Sequence, residues 1–296
     1  MRILHFFFLL LFSNAINAQK ANTFIKPNSD DNTLLWQISG NGLTKPSYLF
    51  GTFHLLCKDD IHFSTACREA IANSNKIYLE LDIDDPATLL SGFTLMNMKE
   101  GKKLEDLFTA DEYKKVSTYF KDSLKTALGL FKNMKPYFLM ALLYPKMMPC
   151  KAVSGVDEAI ASLAKKNNKE IKGLETMAFQ ASLFDSIPYA KQAEELLQAI
   201  DSIDKSKKYF ALLNKAYLQQ NMKLIETMLN DPEFGMEENQ GILLDNRNMD
   251  WIGQLKIIMK NEPVFVAVGT GHLIGDKGLI TLLRAGGYTV KAIGNK

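Results

Sequence analysis

Cysteine and histidine are scarce in this chain, with 3 and 4 copies in 296 residues. The spacing of Cys57, Cys67 and Cys150 matches no zinc-ribbon pattern, which removes a cysteine-based metal site. Neither sign of charge dominates: 35 Lys and Arg against 33 Asp and Glu leave a net +2. That balance lacks the basic excess of a nucleic-acid binder, and 47% hydrophobic residues is not the composition of a disordered chain. Beyond the N-terminus no apolar run approaches the roughly 20 residues that span a bilayer. Internal repeats are absent. So are a Gly-x-Ser-x-Gly elbow, a His-Glu-x-x-His helix, a phosphate loop and a dinucleotide fingerprint, which excludes the commonest hydrolase and nucleotide-binding signatures.

What is present begins at the N-terminus. Met1–Ala18 carries Arg2, an apolar run from Phe6 to Phe12 and then small residues, the layout of a secretory signal peptide. Cleavage after Ala15 or Ala18 predicts an exported chain, periplasmic or secreted, with no transmembrane segment left after cleavage. In an oxidising compartment a cysteine pair is expected to be bridged, and Cys57 with Cys67 is the nearest pair in sequence.

Leu34–Ser39 and Ser47–Gly51, parted by Gly40-Asn41-Gly42 and Pro46, predict a hairpin. Helices are expected over Ser64–Ser74, much of Asp85–Met148, Gly155–Lys166, Tyr189–Asn230 with a break near Ser202–Lys208, Ile242–Lys260 and Gly278–Arg284. Lys76–Asp82 alternates as a strand does, Glu170–Gly173 reads as a short strand, and Tyr288–Ile293 as a closing one. Val264–Val268 is a continuous apolar run bounded by Pro263 and Gly269, suited to a buried central strand. The fold class is therefore α/β (α+β). A central mixed sheet from the N- and C-terminal segments carries a helical insertion over about 87–230, all within one domain from 19 to 296.

After loss of His5 with the signal peptide, His54, His62 and His272 remain. Two of them share a setting. Gly51-Thr52-Phe53-His54 and Gly269-Thr270-Gly271-His272 each follow an apolar strand and are each followed by Leu. Functional groups favour the carboxyl ends of strands in α/β sheets, so the two imidazoles meet if the strands are neighbours. Glu80 lies in a strand among apolar neighbours, and a carboxylate there needs a cation or donor. With His54 and His272 it makes a facial set for a divalent transition metal; without a metal, Glu80 and one His become acid and base. Arg247 supplies a guanidinium for Glu80 or for an oxyanion. Glu175 in Gly173-Leu174-Glu175-Thr176 is a weaker candidate, with an N-cap role for the Glu-Thr step equally open.

The motifs GTFHLL and VGTGHLIGDKGLITLLRAGGYTV, with YLELD, KGLET and LLDNRN between them in that order, resemble the TraB/GumN (PrgY-like) family, which includes the Tiki metalloproteases. The resemblance runs from about Leu34 to Ile293. It implies a fold similar to the erythromycin esterase type and a peptidase that needs a divalent metal such as manganese, cobalt or zinc. It also implies a peptide or protein substrate cut near its N-terminus. Carried over residue by residue, it makes His54, His272 and Glu80 metal-binding, and Glu80 and Arg247 catalytic. Phe53 stands where the family often has an aliphatic residue. Two further expectations stay open: a protein that sequesters a peptide without cutting it, and a metal-independent esterase.

Overall fold

The computed structural model of the chain describes residues 32–86, 92, 94–231 and 239–295. The expected signal peptide, Met1–Ala18, lies outside them. Among the described residues eight strands form two sheets: β1 Leu35–Ser39, β2 Ser47–Thr52, β3 Leu56–Cys57, β4 Lys76–Leu81, β5 Val153–Ser154, β6 Glu170–Glu175, β7 Val264–Gly269 and β8 Thr289–Ile293. The main sheet runs β6-β4-β7-β2-β1-β8, and β3 pairs with β5 in a small second one. Strands β6, β4, β7 and β2 are mutually parallel, while β1 joins β2 and β8 antiparallel. This is the mixed α/β sheet the sequence predicts.

Composition explains the order. The Val264–Val268 run has no polar side chain to turn to water, so it takes the interior of the sheet, fully buried, as a parallel strand covered on both faces must be. Gly40 and Gly42, with φ of 76° and 81°, make the turn between β1 and β2. Because β2, β4, β6 and β7 point one way, their last residues, Thr52, Leu81, Glu175 and Gly269, lie along one edge. The pairings Thr52↔Gly269 and Leu81↔Glu175 fix that alignment. At Gly173 a Cβ would stand 2.6 Å from the Asp82 backbone nitrogen, so only glycine lets β6 lie this close to β4.

The helices depart from expectation in detail. The long stretch from Tyr189 is interrupted twice, at Ser202 and again at Gln219–Asn221, giving Tyr189–Asp201, Ile203–Leu218 and Met222–Leu229. Gln220 has φ of 55°, a left-handed residue that ends the middle helix. Between Asp85 and Met148 the described residues hold helices Ala110–Asp122 and Pro136–Ala141 joined by short 3₁₀ turns; 87–91 and 93 lie outside the description. Strand β6 lengthens to Glu175 and joins the main sheet from within the region read as a helical insertion. Met96, Met98 and Met147 are buried core. No described helix is long and apolar enough to cross a membrane.

The cysteine expectation is corrected. Cys57 bonds Cys150, 93 positions away with Cα atoms 5.8 Å apart, and Cys67 is free. Cys67 faces the core from helix Thr65–Asn73, where burial pushes its thiol up to about 12. Cys57 ends β3, whose pairing with β5 (Cys57↔Val153) brings the segment just after Cys150 alongside. Because the bond closes so long a loop, reducing it or making Cys150→Ser should lower unfolding stability by about 2–5 kcal/mol. Urea unfolding with and without reductant measures this, and coincident midpoints would refute it.

Candidate active site

The parallel edge gathers the singled-out residues. His54 lies two positions past β2, in a loop whose Phe53 carbonyl accepts from the Val156 amide at 2.9 Å. That bond brings the first turn of helix Val156–Lys166 against the motif, and His54 Nδ1 meets Asp157 Oδ2 at 2.7 Å. His272 stands in the 3₁₀ turn Thr270–Leu273, 2% exposed. Its Nδ1 meets Asn248 Oδ1 at 2.7 Å. The Asn248 amide donates to the carbonyls of His272 (3.2 Å) and Lys277 (2.9 Å), which spends both of its hydrogens. Oδ1 must therefore accept, and the ring proton of His272 belongs on Nδ1.

Glu80 is on an interior strand, 6% exposed, so it is not a solvent-facing edge residue. Its Oε1 accepts from the Gly269 amide at 2.8 Å and lies 3.8 Å from His272 Nε2 and 4.0 Å from His54 Nε2. Its Oε2 takes Arg247 Nη2 at 2.6 Å and Gln180 Nε2 at 3.2 Å. Arg247 comes from the first turn of helix Asn246–Asn261, behind a π-helical turn over Gly241–Asp245, and has no exposure at all. Its Nε and Nη2 grip Glu175 at 2.7 to 3.1 Å. Its Nη1 donates to the Leu243 carbonyl at 2.8 Å and to His272 Nε2 at 2.9 Å. The Trp251 ring lies 4.7 Å from the guanidinium and 4.4 Å from the His272 ring, and its indole N–H donates to Glu175 Oε1 at 3.0 Å.

The charges follow from these contacts. Burial alone would raise the Glu80 carboxyl, but Arg247, the charged His54 and the Gly269 amide hold it well below the usual carboxylate range. Burial and the adjacent guanidinium push His272 well below its ordinary value, so it is neutral. His54 goes the other way: burial opposes its charge, yet Asp157 and then Glu80 raise it to about 8. One imidazole is thus backed by a carboxylate and the other by an amide, and they differ in charge at neutral pH.

The sequence singled out His54, His272, Glu80 and Arg247, and the fold brings all four together. Glu175, the weaker candidate, lies in the strand rather than capping a helix. Thr176 is the N-cap, accepting from the Phe179 amide at 3.1 Å. Asp82 does not join the group; burial and the neighbouring Asp84 carboxylate raise it to about 6. His62 is exposed and apart. Asp157, Asn248, Gln180 and Trp251 escaped sequence reading. Asn248 adjoins Arg247 in LLDNRN, and Trp251 follows Arg247 by one helical turn, a spacing that puts both on one face. Nothing local marks Asp157 or Gln180. Among the described residues no group of three or more His, Cys, Asp or Glu is arranged to hold a metal ion as it stands.

This is an α/β protein with a buried His–carboxylate–guanidinium cluster at the carboxyl edge of its parallel strands. The sequence profile of the TraB/PrgY/gumN family matches residues 34–292, and the chain belongs to that family. It is similar to metalloprotease TIKI1 of Homo sapiens, 22% identical over 326 residues that cover 92% of this chain and 64% of the relative. The Danio rerio TIKI1 metalloprotease is 21% identical over 90% of this chain and 64% of its own length. Metalloprotease TIKI2 of Danio rerio is 29% identical over 113 residues, 38% of this chain and 20% of the relative. The chain therefore spans less than two thirds of these curated relatives. No solved structure matches it.

The Asp157–His54 pair makes a direct prediction. In Asp157→Asn the His54 pKa should fall from about 8 towards or below its ordinary 6.5, read by NMR titration of the ring protons. A raised folded pKa stabilises fully below pH 6.5 and loses that stabilisation as pH rises through 8. The wild type should shed about 2 kcal/mol across that window, and the variant should not.

Proposed function

We propose that the protein is an exported metal-dependent hydrolase that cleaves peptide bonds in peptides or near protein N-termini. The carrying observation is that His54 Nε2, Glu80 Oε1 and the His272 ring surround the space over Gly269, with both Nε2 atoms within 4.0 Å of Glu80 Oε1. A methyl group built there would lie 3.4 Å from His54 Nε2, 3.2 Å from Glu80 Oε1 and 3.7 Å from the His272 ring. Two imidazoles and a carboxylate around one small cradle are a donor set that fits manganese, cobalt or zinc. Anchoring both Nδ1 atoms, by Asp157 and Asn248, is the support such ligands need. Residues His54, His272 and Glu80 would hold the ion. When bound, it supplies Lewis acidity to a scissile carbonyl and acidifies water.

The chain's own groups do the rest. Asp157 and Asn248 fix both ring orientations. Arg247, whose N–H groups are taken up by Glu80, Glu175, Leu243 and His272, acts through the positive charge it holds beside Glu80. Glu80 takes the proton of the attacking water. Held far down by the guanidinium it is a weak base, and its basicity rises with each hydrogen bond Arg247 withdraws. Export is supported by the Met1–Ala18 pattern and by the Cys57–Cys150 bond, which suits an oxidising compartment. One observation favours a metal-independent hydrolase instead: His272 Nε2 already accepts from Arg247, leaving His54–Asp157 as an acid–base pair.

Chelator-treated protein should lose cleavage of a peptide library and regain it with manganese, cobalt or zinc. His54→Ala and Glu80→Gln should each lower the rate by about 100-fold or more with the circular dichroism spectrum unchanged. Full activity after chelation sinks the metal-dependent reading. Metal affinity, measured by calorimetry, should rise as pH climbs through about 8, because His54 must release its proton to bind.

A further inference from the structure

We propose that Arg247 and the metal ion compete for a single atom, Nε2 of His272, so that the guanidinium keeps the third donor from the ion until it is drawn back onto Glu175. The inference rests on the metal-dependent reading above and concerns what governs occupancy of that site. The Asn248 amide spends its two hydrogens on carbonyl oxygens, so its Oδ1 accepts and the His272 proton is fixed on Nδ1. That leaves Nε2 one lone pair, directed in the plane of the ring. Arg247 Nη1 donates into it at 2.9 Å. A coordinating ion needs the same lone pair, and an imidazole nitrogen cannot serve a hydrogen bond and a metal at once.

The same guanidinium also neutralises the carboxylate the ion would use, through Nη2 to Glu80 Oε2 at 2.6 Å. In the structure described, Arg247 therefore stands in for a cation beside two of the three donors. It has other partners already in place. Glu175 holds its Nε at 2.9 and 3.1 Å and its Nη2 at 2.7 Å. Trp251 presents its ring 4.7 Å away, and the Leu243 carbonyl keeps Nη1 at 2.8 Å. None of these contacts involves His272 or Glu80. Withdrawal from the donors thus leaves the buried guanidinium paired and hydrogen-bonded, which a lone buried charge could not tolerate. Glu80 and Glu175 divide the work: the first faces both the arginine and the ion, and the second holds the arginine in either state.

The test is calorimetric titration of cobalt(II) and zinc(II) into the metal-free wild type and Arg247→Met. Removing the competitor should tighten the dissociation constant roughly tenfold or more, the fold-change equivalent to one hydrogen bond from a charged donor. Because the variant strands two buried carboxylates and can fail to fold, the wild type supplies a second readout. During zinc(II) titration the ¹⁵N resonance of His272 Nε2 should shift in proportion to bound metal, as the nitrogen exchanges a hydrogen bond for coordination. Equal or weaker binding by Arg247→Met overturns the proposal. Stoichiometric zinc with the His272 Nε2 resonance unmoved overturns it too, while leaving metal dependence standing. No binding by either protein overturns the metal reading and the competition with it.

Discussion

The rest of the site depends on one buried cation. Arg247 has no exposure, and a guanidinium out of water is tolerable only where carboxylates and carbonyls take up its donors. Glu80 and Glu175 do this from adjacent parallel strands, and Leu243 does it from the turn before the arginine's own helix. That requirement places helix Asn246–Asn261 over the carboxyl edge of the sheet. With the helix come Asn248, which orients His272, and Trp251, which closes the far side of Glu175. Removing the charge would leave two carboxylates buried without their counter-ion, so the cluster stands or falls together.

The two imidazoles show how neighbouring groups of one type are given different properties. Both are largely enclosed and both have Nδ1 tied down. Their anchors differ by one functional group, an aspartate against an asparagine, and one carries Arg247 at its other nitrogen. The near-repeat of Gly-Thr-x-His in the sequence thus becomes a pair that is symmetric in backbone setting and asymmetric in charge.

Much of this was legible in the sequence because it is written locally. An unbroken Val-Phe-Val-Ala-Val run between proline and glycine leaves little besides a central strand, and the twin motifs after apolar strands point at a shared edge. Glu80 betrayed itself as a charge among apolar neighbours. What was hidden depends on distant pairing. Glu175 looks like a helix cap until Leu81 is known to lie opposite it. Asp157 is an ordinary first-turn acid until the Phe53 carbonyl captures the amide beside it. Cys67 seemed the partner of Cys57 by nearness alone. Its helix turns it inwards, while a two-residue strand pairing brings the neighbourhood of Cys150 to Cys57 instead.

The Cys57–Cys150 bond makes the 93-position span between them a closed covalent ring, with His54 just outside one end and Asp157 just outside the other. The ring is no appendage: it carries β4, with Glu80, into the interior of the main sheet. A protease that cuts the ring beyond β4 still leaves its two flanks joined through the disulfide. The clasp thus ties the strand that bears Glu80 to the base where His54 meets Asp157, so the carboxylate and the histidine pair share one covalent frame.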